Sequence, residues 1–213
     1  SVMLCAATKM NSAGRVREAV AAGIDICGEN RVQELLGKLG EGAYEGCPLH
    51  FIGVLQKNKV RQIVGRVSLI HSVDSVPLAA EIEKRAAALG IVQDILLEVN
   101  IASEQSKSGF KPDELGAAVE KIASFSSVRV RGLMTIPPAC ADPEENRIYF
   151  SQMYKLFVDI GRKKYDNSIV SFDTLSMGMS SDFEVAIEEG ATVVRVGTGI
   201  FGARSYSAAS EVH

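Results

Sequence analysis

Little in this 213-residue chain points to a membrane, a nucleic acid or a metal. It has no apolar run near the ~20 residues that span a bilayer, and its apolar opening, SVMLCAA, lacks the basic start of a secretory signal. It has no polybasic or polyacidic block. Charged residues make up 23% and the formal net charge is -3, so neither nucleic acid nor an anionic membrane surface is indicated as a partner. The four cysteines, Cys5, Cys27, Cys47 and Cys140, form no CxxC pair, and no His or Cys cluster has zinc-ligand spacing. Reduced, structural thiols in a cytoplasmic protein are the expectation. No GxGxxG follows the first strand-like run, which argues against a dinucleotide-binding sheet.

What the chain does contain is an alternation that runs from end to end. VMLCAAT, IDIC, LHFIG, SLIHS, DILLEVN, RVRGLM, SFDTL and TVVRVG are short runs rich in Val, Ile and Leu, as in buried parallel strands. Between them lie the helical patterns SAGRVREAVAAG, RVQELLGKLG, VPLAAEIEKRAAALG, DELGAAVEKIASF and ENRIYFSQMYKLFVDIGRKK, several closed by a glycine suited to a left-handed C-cap. Pro143 at the front of the last of these, and Arg162, Lys163 and Lys164 at its back, follow the order a helix dipole favours. Such an alternation closes into a barrel or opens into a doubly wound sheet. The chain is short beside the ~250 residues typical of a (β/α)8 barrel, yet the number of units and the missing dinucleotide fingerprint favour closure. The expectation is one α/β domain over residues 1–213, a (β/α)8 TIM barrel.

In such a barrel chemistry gathers at the C-terminal ends of the strands, and phosphate is commonly held by the loops after the seventh and eighth. Here the seventh run leads into LSMGMSSDFEVAIEEG, with Ser176, Gly178, Ser180, Ser181 and Asp182, and the eighth into VGTGIFG, with Gly197, Thr198 and Gly199. Hydroxyls and small residues in two neighbouring turns let an anion approach backbone N–H groups. Helix capping by Ser181 or Asp182, and plain turn formation at the glycines, account for the same residues without a ligand. Arg195 lies on the face of its strand opposite Val194 and Val196. If the valines pack against helices, its guanidinium points into the barrel mouth, either as a structural ion pair or as a donor to a ligand ring. Lys9 ends the first strand run. Most lysines are solvated surface charges, but one partly desolvated at a barrel mouth beside another cation is a usable amine nucleophile. An amine, a phosphate cradle and an arginine facing a ring together describe a pyridoxal phosphate (PLP) site. The cradle alone is also compatible with a barrel enzyme acting on a sugar phosphate.

Eight motifs, in order, carry a family likeness: AATK with Lys9, GENRVQE (28–34), HFIGVLQKNK (50–59), HSVD (71–74), VNIASEQSKSGF (99–110), GLMTIPP (132–138), LSMGMSSDFEVAI (175–187) and VRVGTGIFGAR (194–204). By these the chain resembles the pyridoxal phosphate homeostasis protein family, single-domain relatives of the alanine racemase barrel. The resemblance implies that Lys9 forms the Schiff base with PLP, that Ser176 with the Gly197 and Thr198 backbone binds the phosphate, and that Arg195 faces the pyridine nitrogen. It places Asn30 and Met134 near the ring. Family members usually begin with a helix before the first strand, whereas this chain starts at the strand, so a missing N-terminal segment is expected. Arg31 stands where the family often has tyrosine, and Leu49 after Pro48 where it usually has tryptophan.

The implied function is a cytoplasmic, monomeric protein that holds PLP without strong turnover and supplies PLP-accepting apoenzymes. A PLP-dependent amino acid racemase is the alternative. Against it, an arginine leaves the pyridine nitrogen unprotonated and the ring a weak electron sink. A racemase also needs a second acid or base, for which the chain offers Tyr206 in its tail. Lys107 is either a second amine or a solvated loop lysine. His50 and His71 read as core or rim histidines, and Glu98 and Asn100 have no assigned role.

Overall fold

The computed structural model describes residues 1–104, 107–163 and 170–202. Within them eight parallel strands close into a barrel in chain order, with β1 paired to β8. They are β1 (Met3–Ala7), β2 (Ile26–Glu29), β3 (Leu49–Phe51), β4 (Leu69–Val73), β5 (Gln93–Glu98), β6 (Val128–Met134), β7 (Val170–Met179) and β8 (Val193–Val196). The helices are α1 (Ala13–Ala21), α2 (Val32–Gly40), α3 (Val76–Leu89), α4 (Leu115–Ile122), α5 (Arg147–Gly161), α6 (Phe183–Glu188) and the single turn α7 (Thr198–Phe201). A 3-10 turn, Lys57–Gln62, takes the helix position between β3 and β4. No helix among the described residues is long and apolar enough to cross a membrane.

Helix α3 illustrates how the sequence specifies these units. Leu78, Ala79, Ile82 and Ala86 form one buried stripe, Pro77 lies in the first turn, and Gly90 ends the helix at φ 66°, in the left-handed region. Pro143, by contrast, opens a 3-10 turn (Pro143–Asn146) inside an Asp142–Glu145 capping box, and α5 follows it. Of the basic residues expected at its end, Arg162 is the C-cap, whereas Lys164 lies outside the described residues.

Alternation along the strands sorts side chains into two shells. Val194 and Val196 belong to the large hydrophobic shell between strands and helices, while Val193 packs inside the barrel with Cys5, Ala7, Ile26 and Ile52. Leu69, Leu96 and Met134 form a second inner cluster. At the N-terminal end of the barrel, Asp94 takes both Arg129 (Nε–Oδ1 2.7 Å) and Arg131 (2.8 Å), and Arg131 also reaches Asp173 (2.5 Å).

One strand departs from expectation. β7 continues through LSMGM to Met179, and its register with β8 shifts between Ser176 and Met179, around Gly178 at φ 88°. Ser176 is therefore a mid-strand residue, and the turn begins at Ser180.

Candidate functional site at the barrel mouth

A cavity of about 370 Å³ opens among the C-terminal strand ends, within the size range of small-molecule sites. Its wall takes Ala7 and Lys9 from the end of β1, Asn30 from β2, Ile52 from β3 and Ile136 from beyond β6. Met179, Ser180 and Ser181 come from β7 and its turn, and Arg195, Gly197 and Thr198 from β8 and its turn. Of the expected site residues, Lys9, Asn30, Arg195, Gly197 and Thr198 thus share one cavity. Ser176 and Met134 do not line it. They are 0% and 1% exposed, with Ser176 three residues before the wall residue Met179 of β7 and Met134 two residues before Ile136, which follows β6. The strand period of two gives the correct face for both, but the wall lies higher.

Ser180, rather than Ser176, is the serine that reaches the β8 turn. Its Oγ accepts from the backbone N–H of Gly197 (3.0 Å) and of Gly199 (3.4 Å). Two amides from the β8 turn therefore converge on one oxygen at the cavity edge. Asp182 is tied back into the structure, accepting from Met179 N (2.7 Å) and from Asn146 Nδ2 (2.9 Å), so it fixes the β7 turn from beneath.

Arg195 is buried, 4% exposed, and faces the interior as strand alternation requires. Its Nη1 donates to Ser176 Oγ at 2.6 Å and its Nη2 to the Thr135 carbonyl at 2.9 Å. Burial lowers its pKa from the ordinary arginine value, but a guanidinium starts so high that it stays charged at neutral pH. Below it, His71 Nδ1 lies 3.0 Å from Ser176 Oγ, and His71 Nε2 lies 2.9 Å from His50 Nδ1. Burial pushes His50 down to about 4 and His71 well below the ordinary histidine value, so both rings are neutral. Glu98, at the C-terminal end of β5, moves up, chiefly through burial and then through the nearby charge of Asp74.

Lys9 is held from the helix side. Lys38 of α2 is buried and donates to the Thr8 carbonyl (2.8 Å) and to Glu29 Oε1 (2.5 Å). The same carboxylate oxygen accepts from Thr8 Oγ1 (2.7 Å) and Tyr44 OH (3.2 Å), while its other oxygen takes the Asn30 N–H (3.3 Å). On the far side of Lys9, the Met10 N–H donates to Glu34 Oε2 at 2.7 Å, with Met10 at φ 61°. The backbone is thus tied to α2 immediately before and immediately after Lys9. Gly53 lets β3 close on the same region, since a Cβ there would lie 2.1 Å from the Asn30 carbonyl oxygen. The buried Glu29–Lys38 pair had no sequence signal beyond its place in and after GENRVQE.

Other candidates fall elsewhere. Lys107 pairs with Glu104 at 2.6 Å and is not on the cavity wall. Asn100 organises that loop, accepting from Glu104 N (3.1 Å) and donating to the Glu104 carbonyl (2.7 Å). Tyr206 and Arg204 lie outside the described residues. The thiols of Cys5, Cys27, Cys47 and Cys140 are free, and burial raises Cys5 to about 12, far from a reactive thiolate.

A closed parallel barrel with a lysine just beyond its first strand and a ligand-sized cavity at the C-terminal face defines a (β/α)8 barrel with a small-molecule site at its mouth. The chain belongs to the alanine racemase N-terminal domain family, whose sequence model matches residues 2–205. Among its relatives are proteins named pyridoxal phosphate homeostasis protein. That of Aquifex aeolicus is 48% identical over 191 residues, 90% of this chain and 82% of the relative. That of Pseudomonas aeruginosa is 43% identical over 209 residues, 98% and 87% of the two chains. Among solved structures, PipY of Synechococcus elongatus with PLP bound matches at 36% identity and TM-score 0.84, over 94% of this chain and 92% of PipY. An alanine racemase of Clostridium difficile, at 15% identity and TM-score 0.75, shares the fold over 97% of this chain and 53% of its own length.

Proposed function

We propose that this chain holds PLP reversibly at Lys9 and serves PLP homeostasis without a robust turnover reaction. The observation that carries the reading is the convergence of an amine, a buried guanidinium and the Ser180–Gly197 turn contact on one cavity. When bound, the cofactor supplies an aldehyde that condenses with an amine and a ring that accepts electrons.

The residues present fit such a group. Asn30 Oδ1 is a buried acceptor with no hydrogen-bond partner among the described residues, an arrangement that a polar ligand in the cavity relieves. The Ser180 oxygen occupies an acceptor position for the Gly197 and Gly199 amides, which are therefore oriented to receive the oxygens of an anion. In this reading Lys9 provides the amine, while Ser180, Gly197 and Thr198 hold the phosphate. Arg195 donates toward the ring nitrogen, and Asn30 approaches the ring. Ser176 acts through Arg195 and Met134 packs beneath the site.

The cavity wall also favours holding over racemisation. Among the described residues it carries Lys9 but no tyrosine, histidine or carboxylate that could serve as a base on the opposite face. Arg195 would donate a hydrogen bond to the ring nitrogen without transferring its proton at neutral pH, which would keep the ring a weak electron sink. The same proposal has the chain working as one barrel domain over residues 1–213, as a cytoplasmic monomer that supplies PLP-accepting apoenzymes.

The test is peptide mapping after borohydride reduction of PLP-loaded protein. The cofactor mass is expected on the peptide containing Lys9. Its absence, or its presence on Lys107 alone, overturns the assignment. Incubation with D- or L-alanine in deuterated water separates the racemase alternative, which requires exchange at Cα.

A further inference from the structure

His50 and His71 lie beneath the cavity and are not part of its wall, yet they connect to Arg195 through an unbroken chain of close contacts. Ser176 Oγ takes a hydrogen bond from Arg195 Nη1 at 2.6 Å and has His71 Nδ1 at 3.0 Å. His71 Nε2 in turn faces His50 Nδ1 at 2.9 Å. Ser176 and His71 are fully buried at 0% exposure, while His50 is 6% exposed, so the protons of Ser176 and His71 need acceptors within the chain.

Two directions are formally available, and the ends decide between them. Arginine only donates. With the Ser176 oxygen accepting from Arg195, the hydroxyl proton requires an acceptor, and His71 Nδ1 is in place as a lone pair. His71 is then protonated at Nε2 and donates to His50 Nδ1, which leaves His50 protonated at Nε2 as well. The opposite direction turns an N–H of His71 toward the same oxygen as Arg195 and leaves the fully buried Ser176 proton without an acceptor in the chain, whereas the first direction leaves only the Nε2–H of His50, which is 6% exposed, at the open end. The electrostatic ends agree with the first direction, because the guanidinium lies at the mouth while the Asp94 carboxylate at the floor acts on His50 as an attractive negative charge. Donors that all point from mouth to floor align with that field.

We propose that Ser176, His71 and His50 form a one-directional hydrogen-bond chain that positions the Arg195 guanidinium, with both histidines held as Nε2–H tautomers. The histidines are positioning residues. They act on a ligand through Arg195 and do not touch it. The carbonyl of Thr135 holds the guanidinium from a second direction at 2.9 Å, so the chain fixes the plane in which the remaining N–H groups present themselves. That part of the inference rests on the PLP reading, whereas the tautomers do not.

The experiment is two-bond proton–nitrogen correlation on isotope-labelled, cofactor-free protein. Both rings are expected neutral with the proton on Nε2. A proton on Nδ1 of His71, or averaging between tautomers, overturns the chain. His50→Phe removes the terminal acceptor at similar ring size, and His50→Gln keeps an acceptor oxygen. With His50→Phe, the single His71 tautomer is expected to be lost, and PLP release to accelerate by about tenfold, the weight of one hydrogen bond. His50→Gln is expected to restore most of both. If His50→Phe lowers only the melting temperature, with tautomer and release unchanged, the histidines are packing residues and the proposal fails. Failure of the Lys9 adduct in unmodified protein tells against the PLP reading and leaves the tautomer result standing.

Discussion

At the floor of the barrel, Arg129 and Arg131 share the carboxylates of Asp94 and Asp173, whereas at the mouth Arg195 donates to a hydroxyl and a carbonyl. The same residue type is neutralised at one end and left with its charge uncancelled by a contacting anion at the other. Carboxylate pairing at the floor closes the barrel, and each guanidinium there is accounted for. Neutral acceptors at the mouth orient a guanidinium without quenching it, so its field extends into the cavity. The mouth also keeps an acceptor, Asn30 Oδ1, with no partner among the described residues, which is a cost in a folded protein and a use in a binding site.

If this division is correct, substitutions at the two ends separate binding from stability. The largest expected effect is at the mouth: Lys9→Ala abolishes the borohydride-reducible adduct while the urea midpoint stays nearly unchanged. Next is Lys38→Met, which strands the buried Glu29 carboxylate and is expected to cost about 3–5 kcal/mol in urea unfolding. At the floor, Asp94→Asn is expected to cost about 1–3 kcal/mol, since its arginine partners are partly solvated, with adduct formation retained. Loss of the adduct with an unchanged midpoint in that variant would erase the distinction between the ends.

Acid provides a further test. His50 and His71 have native pKa values below those of the unfolded chain, His50 at about 4, so the unfolded state takes up more protons as pH falls. Their contribution is complete above the ordinary histidine pKa and is lost as pH falls from ~6.5 toward 4. Glu98 shifts the other way, so its contribution is present at low pH and lost as pH rises above the ordinary carboxyl value, which offsets part of the change. A urea midpoint independent of pH across this window argues against buried neutral histidines. The smallest effect is expected from Asn30→Ala, which removes the unpartnered acceptor. Stability is expected to hold or rise by up to about 1 kcal/mol, while PLP affinity drops by about tenfold in titration.

The barrel was readable because its units are short, regular and numerous: each strand run carries β-rich residues, and the face of Arg195 follows from its valine neighbours. The site was readable in face but not in height. Ser176 and Met134 point inward as expected, but a strand pattern does not say how far the strand continues, and β7 extends past them by way of the Gly178 irregularity. Ser180, considered beside Ser176 in the sequence, is the one at the edge. The histidines were recognised as interior without any indication that they touch each other, because β3 and β4 bring them together by register. Glu29 and Lys38 straddle the start of α2, and nothing in their spacing distinguishes a buried pair from two surface charges.

The double attachment of the Lys9 turn to α2, through Lys38 to the Thr8 carbonyl and through Glu34 to the Met10 amide, couples the first strand and the second helix into one structural unit. A chimera that joins β1 of one relative to α2 of another is expected to mis-seat the amine even when every residue facing the cavity is preserved. Recombination in this fold is therefore safest at junctions that keep the two together.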